Sequence, residues 1–185
     1  MSGLLSESRN AIDDAADFGR VAVMYGGNSS ERAVSLDSGQ AVLGALLSRG
    51  VEAVGFDPAE RNLVDLSSDG FDRVWIALHG PGGEDGSLQG ALQWLNIPYT
   101  GSGVMASAIA MDKVRSKQLF MEAGINTPDY ALVSSVADAK RAAEKLGYPM
   151  VVKPTGQGFS LRNRVGTAKE WRDAGFRLLL EAGER

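Results

Sequence analysis

The chain reads as an α/β protein with an open parallel sheet and helices on both faces. Three observations predict this. Short apolar runs recur at 21–25, 51–57 and 74–78. The first and third lead into a glycine-rich turn, and behind each turn apolar residues recur at helical spacing. Strands alternating with helices of this length favour parallel pairing through helical crossovers. At 185 residues the sequence accommodates one domain, or one domain and part of another.

Composition narrows the function classes. The chain is 44% hydrophobic and 23% charged, ordinary for a globular protein. Its net charge of −4 comes without a basic stripe, which argues against nucleic-acid binding. It has no cysteine, which excludes disulfides, thiolate metal sites and a thiol nucleophile. No apolar run approaches the ~20 residues of a membrane span. The N-terminal stretch carries Glu7, Asp13, Asp14 and Asp17 in place of an apolar signal core. A cytoplasmic protein without a membrane partner is expected.

Taken in order, residues 1–19 are polar and acidic and read as a flexible extension with room for one short helix. The run Arg20-Val21-Ala22-Val23-Met24-Tyr25 is the first strand. Gly26-Gly27-Asn28-Ser29-Ser30-Glu31-Arg32 is a turn, and Ala33, Leu36, Leu43 and Leu46 mark a helix closed near Gly50. Glu31 has two readings. It can be the acidic residue favoured beside the positive end of a helix dipole, or a carboxylate aimed at a substrate ammonium. Local sequence favours the first. The turn lacks the G-x-G-x-x-G pattern of dinucleotide-binding folds.

A second strand follows at 51–57, and residues 58–72 read as a polar loop. The third strand runs into His79-Gly80-Pro81-Gly82-Gly83-Glu84-Asp85-Gly86. Residues 80–90 hold five glycines, and His79 is the only histidine. Glycines let a backbone approach a ligand, and histidine can meet an anionic group near neutral pH. A glycine-rich turn with a solvated histidine fits the spacing equally well. Helical spacing of Leu88, Ala91, Leu92 and Leu95 follows, then an edge-like strand at 97–100, since proline is kept out of central strands.

Gly101-Ser102-Gly103 opens a helix through Ala110, and Met111-Asp112-Lys113 reads as a domain boundary. A further helix is closed by Gly124; an extended run at 127–133 and an amphipathic helix at 136–146 follow. The next strand, at 148–154, ends in Lys153 and Pro154, and residues 155–160 form a flexible loop suited to wrapping phosphate. Lys113 and Lys153 can be plain surface charges. A lysine ending a buried strand can instead aim its ammonium at phosphate, and two of them favour a nucleoside triphosphate over a dinucleotide. From residue 161 the composition changes, and Trp171, Phe176, Leu179 and Leu180 read as a weak helical face.

In order and spacing, these stretches resemble the D-alanine–D-alanine ligases of the ATP-grasp enzymes. The matching residues are Gly26-Gly27 through Glu31-Arg32 with Val34-Ser35-Leu36-Asp37-Ser38-Gly39, His79 through Gly86 with Leu88-Gln89-Gly90, Ile97 through Ser102, Met111-Asp112-Lys113, and Val151 through Pro154. The resemblance covers about residues 20–158. It implies a Rossmann-like pre-ATP-grasp domain at 20–111 and a first ATP-grasp subdomain at 112–160, with a divergent tail at 161–185.

The reaction it implies is ATP-dependent joining of two D-alanines through an acylphosphate, for peptidoglycan synthesis, cell-wall biogenesis and cell shape. Glu31 would hold the first substrate's ammonium and His79 would lie near its carboxylate. Lys113, Lys153, Gly158 and Ser160 would contact ATP. Partners would be D-alanine and ATP, with a homodimer through the N-terminal domain as a candidate arrangement. Magnesium is expected from the family, yet no metal ligand is assigned within this sequence, because the family's C-terminal lobe has no counterpart after residue 160. The 185-residue chain alone is therefore expected not to ligate D-alanine. Phe159 stands where the family has a serine. The alternative is a truncated, non-catalytic module that binds a D-amino acid or a full-length ligase subunit.

Overall fold

The computed structural model of the chain describes residues 14–147, 150–156 and 178–182. Two compact units emerge: Met1–Asn28, Arg32–Leu78 and Ala91–Gly101 make the first, and Ser29–Glu31, His79–Gly90 and Ser102–Arg185 the second.

The first unit is built on a parallel sheet of β1 (Val21–Met24), β2 (Ala53–Phe56) and β3 (Arg73–Ile76), in the order β2-β1-β3. Val21 pairs with Ala53 on one side and Arg73 on the other. All four β1 residues are buried, as expected of a central parallel strand covered on both faces. On one face Val21, Val23, Val51 and Ala53 pack with Val42, Leu43 and Leu46 of helix α1 (Arg32–Ser48). Each fully buried aliphatic side chain contributes about 1.5–3 kcal/mol. Gly50, at φ +80°, ends the α1 segment where the sequence placed its cap. Tyr99 joins the edge of β3 by a parallel bridge to Val74. The Val74 N–H donates to the Pro98 carbonyl at 2.9 Å, so proline sits at an edge and costs no ladder donor.

Two polar anchors fix the turn after β1. The fully buried Ser35 hydroxyl accepts the Gly26 N–H at 2.9 Å and donates to the Ala77 carbonyl at 2.8 Å. Asp57 accepts the Gly27 N–H at 2.9 Å and pairs with Arg32 at 2.7 Å. Burial alone would raise the Asp57 pKa. The hydrogen bonds from Arg32, Gly27 and Ala59 outweigh it and hold this carboxyl below its ordinary value.

Three expectations need correction. Residues 58–72 are not simply a polar loop. They contain the short helix α2 (Asp65–Ser68), whose Leu66 is fully buried, and Phe71, which packs edge-on against Phe56 at 6.3 Å between centroids. Isolated apolar anchors in a polar segment give no periodic signal. The expected extension also reaches into the fold: Ala15–Phe18 is a 3₁₀ turn capped by Asp14, and Ala15 and Phe18 pack against the core.

Helices α4 (Val104–Met111) and α5 (Lys113–Glu122) stay together in the second unit. Asp112 closes one and caps the other by accepting the Val114 and Arg115 N–H groups, and the Ser116 hydroxyl bonds back to Ile109 at 2.8 Å. Finally, Leu178–Ala182 is a strand, not a helical face.

That strand, β6, is central in an antiparallel sheet ordered β4-β6-β5, between β4 (Tyr130–Val133) and β5 (Met150–Pro154). A continuous leucine run suits a central strand as well as it suits a helix, and only pairing with β4 and β5 decides. Helix α6 (Val136–Leu146) packs Ala139, Ala142 and Leu146 against Ala131 and Val133. Its N-terminus is capped by Ser135, which accepts the Asp138 N–H at 3.0 Å. Gly158, Phe159, Ser160, Trp171 and Phe176 lie outside the described residues.

Candidate active site

The chain after β1 and the chain after β3 meet in the second unit. Ser29–Glu31 immediately precedes α1; His79–Gly90 follows β3 and opens helix α3 (Ser87–Trp94). The sequence-predicted pair, Glu31 and His79, is thereby brought together. The Ser29 hydroxyl donates to the His79 carbonyl at 2.7 Å and accepts the Glu31 N–H at 3.1 Å. A Cβ on Gly80 would lie 3.2 Å from the Glu31 carboxyl carbon and from Oε1. The carboxylate therefore rests against the bare Cα next to the histidine.

Glu31 is only 6% exposed. Among the described residues no cation pairs with it. A buried carboxylate carries a desolvation cost that a cation or hydrogen-bond donors offset. The imidazole Nδ1 lies 3.4 Å from Glu84 Oε1, a long contact that orients the ring.

The rest of the loop is held by its own groups. Asp85 accepts the Gly82 N–H at 2.9 Å and the Ser87 N–H at 3.0 Å, closing the loop and capping α3. Burial pushes the Asp85 pKa upward, and these bonds push it further down, so it stays below the ordinary range. Gln89, 4% exposed, donates to the Gly83 carbonyl at 2.8 Å. Gly80 and Gly82 take φ of +73° and +87°, a region where a side chain is strained.

Lys113 is tied by its backbone to the segment that follows Lys153. The Lys113 N–H, at the start of α5, donates to the Thr155 carbonyl at 3.0 Å, two residues past Lys153 at the end of β5. Both lysines are half-buried. The expected contacts from Gly158 and Ser160 fall outside the described residues. Among the described residues no group of three or more His, Cys, Asp or Glu side chains could hold a metal.

Ser29, Glu84, Asp85 and Gln89 lie inside the sequence motifs, where none of them has an assigned role. Ser29 resembled one more helix-cap residue; its bond to His79, 50 positions away, has no local signal. Lys117 was missed. It is 6% exposed, with its ammonium bonded to the Thr127 hydroxyl at 2.8 Å and the Pro128 carbonyl at 2.7 Å.

The fold and the Glu31–His79 cluster define an α/β protein in which a buried carboxylate lies beside a histidine-bearing, glycine-rich loop. Comparison with known proteins narrows this. A family model described as the D-ala D-ala ligase N-terminus matches residues 56–102. The D-alanine–D-alanine ligase of Delftia acidovorans is 54% identical over 158 residues, which are 85% of this chain and 47% of that protein. The ligase of Laribacter hongkongensis is 59% identical over 144 residues, 78% of this chain and 47% of that protein. A Bacillus anthracis D-alanine–D-alanine ligase, solved complexed with ATP, matches with a TM-score of 0.72 at 32% identity, over 90% of this chain and 59% of that one. The chain belongs to the D-alanine–D-alanine ligase family. It spans about half the length of the curated relatives it matches.

Proposed function

We propose that this chain carries the first D-alanine site, and part of the ATP site, of an ATP-dependent D-alanine–D-alanine ligase. The observation that carries the reading is the buried Glu31 carboxylate lying against Gly80, beside His79. An α-amino acid presents an ammonium and a carboxylate on one carbon. Glu31 takes the ammonium; His79, oriented by Glu84, faces the carboxylate and offsets its charge. Relatives named D-alanine–D-alanine ligase at 54% and 59% identity support the choice of substrate.

Lys113 and Lys153 take the ATP phosphates as point charges. The ATP-complexed Bacillus anthracis relative supports this choice of nucleotide. In such a ligase the first D-alanine's carboxylate attacks the γ-phosphorus and ADP leaves. The second D-alanine's amine then displaces inorganic phosphate from the acylphosphate. This chain's residues contribute by holding the first amino acid and neutralising charge, which is where most catalysis of phosphoryl transfer originates. Magnesium, a role in peptidoglycan synthesis and cell shape, a cytoplasmic location and a homodimer belong to the same reading. No described helix is long and apolar enough to cross a membrane.

The test is an NMR titration of the purified chain with D-alanine, alongside Glu31→Gln and His79→Asn. Saturable binding in the parent, weakened at least tenfold in Glu31→Gln, is expected. Equal binding by parent and Glu31→Gln would overturn the assignment.

A further inference from the structure

We propose that Ser29 is a positioning residue that sets the spacing between Glu31 and His79, and with it the affinity for an amino acid held at both ends; this rests on the D-alanine reading above. A serine hydroxyl can donate one hydrogen bond while accepting others. Ser29 uses both capacities on the two site segments, donating to the His79 carbonyl at 2.7 Å and accepting the Glu31 N–H at 3.1 Å. The side chain is half-buried, so water competes weakly for these bonds.

The other close approach between the segments, the Glu31 carboxyl against the Gly80 Cα, is a van der Waals contact and sets no direction. The hydroxyl supplies the directional link. The ammonium and carboxylate of an α-amino acid are a fixed distance apart. Two protein groups can grip both only if their own separation is fixed in advance; otherwise binding must order them, at an entropic cost. Ser29 contacts neither end of the ligand in this scheme. It acts through the backbone of the residues that do.

The experiment measures D-alanine affinity by NMR titration for the full chain and for Ser29→Ala, Ser29→Thr and Ser29→Val, with Ser29→Ala repeated in a Glu31→Gln background. Ser29→Ala should raise Kd about three- to tenfold, the effect of losing about one hydrogen bond's worth of fixed geometry. Ser29→Thr keeps the hydroxyl and should restore Kd to within about twofold, while the similarly shaped Ser29→Val should not. In the Glu31→Gln background Ser29→Ala should have little further effect, because residues acting through one contact are non-additive.

An unchanged Kd in Ser29→Ala overturns the inference and leaves the D-alanine reading standing. So does the same fold-loss in both backgrounds, which marks a purely structural role. If Ser29→Ala does not fold, the Thr and Val variants decide by the same criterion. Failure of the parent chain to bind D-alanine overturns the D-alanine reading, and the inference with it.

Discussion

Gly80→Ala separates two costs that are usually entangled: backbone strain, and displacement of the Glu31 carboxylate. Gly80 has φ +73°, and its added Cβ would lie 3.2 Å from Glu31 Cδ and Oε1 and 3.5 Å from Cγ. Gly82, two residues on, has φ +87°, and a Cβ there meets nothing within 4 Å. Both substitutions force an L side chain into the left-handed region, at about 1–2 kcal/mol each. Only Gly80→Ala also presses on Glu31. Relief of the 3.2 Å contact requires a few tenths of an ångström of movement. If a misplacement of ~1 Å costs about 100-fold in a reacting geometry, a proportional share is about three- to fivefold in D-alanine affinity. The assay pairs urea unfolding with D-alanine titration for both variants. Equal stability losses with weakened binding in Gly80→Ala alone are expected. Equal binding by the two variants would refute the placement of the Glu31 carboxylate at the ligand.

Three further predictions concern the frame. Leu66→Ala, at a fully buried position of α2, should lower unfolding free energy by about 2–5 kcal/mol in urea titrations; a change within 0.5 kcal/mol, the ordinary range for a surface substitution, would return 58–72 to the status of a loop. Asp57→Asn removes the charge that Arg32 pairs with and should cost about 1–3 kcal/mol at neutral pH. The folded-state pKa of Asp57 is lowered from 3.8, so its contribution is complete above that value and is lost as pH falls through the lower folded value; urea titrations from pH 6 to about pH 2 should show parent and variant converging. Lys117→Ala leaves the Pro128 carbonyl, now bonded to the ammonium at 2.7 Å, without that donor and should cost about 1–3 kcal/mol in the same assay.

What was legible in the sequence is what physical chemistry writes locally. The run 21–25 shows a buried parallel strand because such a strand is apolar on both faces, while the equally apolar run 74–78 leaves Trp75 exposed. Helix α6 is visible residue for residue because its apolar positions recur every three to four residues and Ser135 and Gly147 bracket it. Glu31 and His79 were not singled out by local signal: the first fits a helix start, the second a solvated turn, and only the order and spacing of the whole motif set marked them. What was not legible depends on distant partners. Leu66 is buried because other elements close over it. The segment at 178–182 is a strand because β4 and β5 flank it. Ser29 belongs to the site because its hydroxyl meets a carbonyl 50 residues on, which neither composition nor period can announce.

The central claim is that Glu31 and His79 grip the two ends of one D-alanine. A crystal structure of the chain grown with D-alanine tests it most directly. The account predicts the ligand's ammonium within hydrogen-bond distance of the Glu31 carboxylate, with its carboxylate turned toward His79. D-alanine bound away from Gly80, or with its carboxylate facing Glu31, would contradict it.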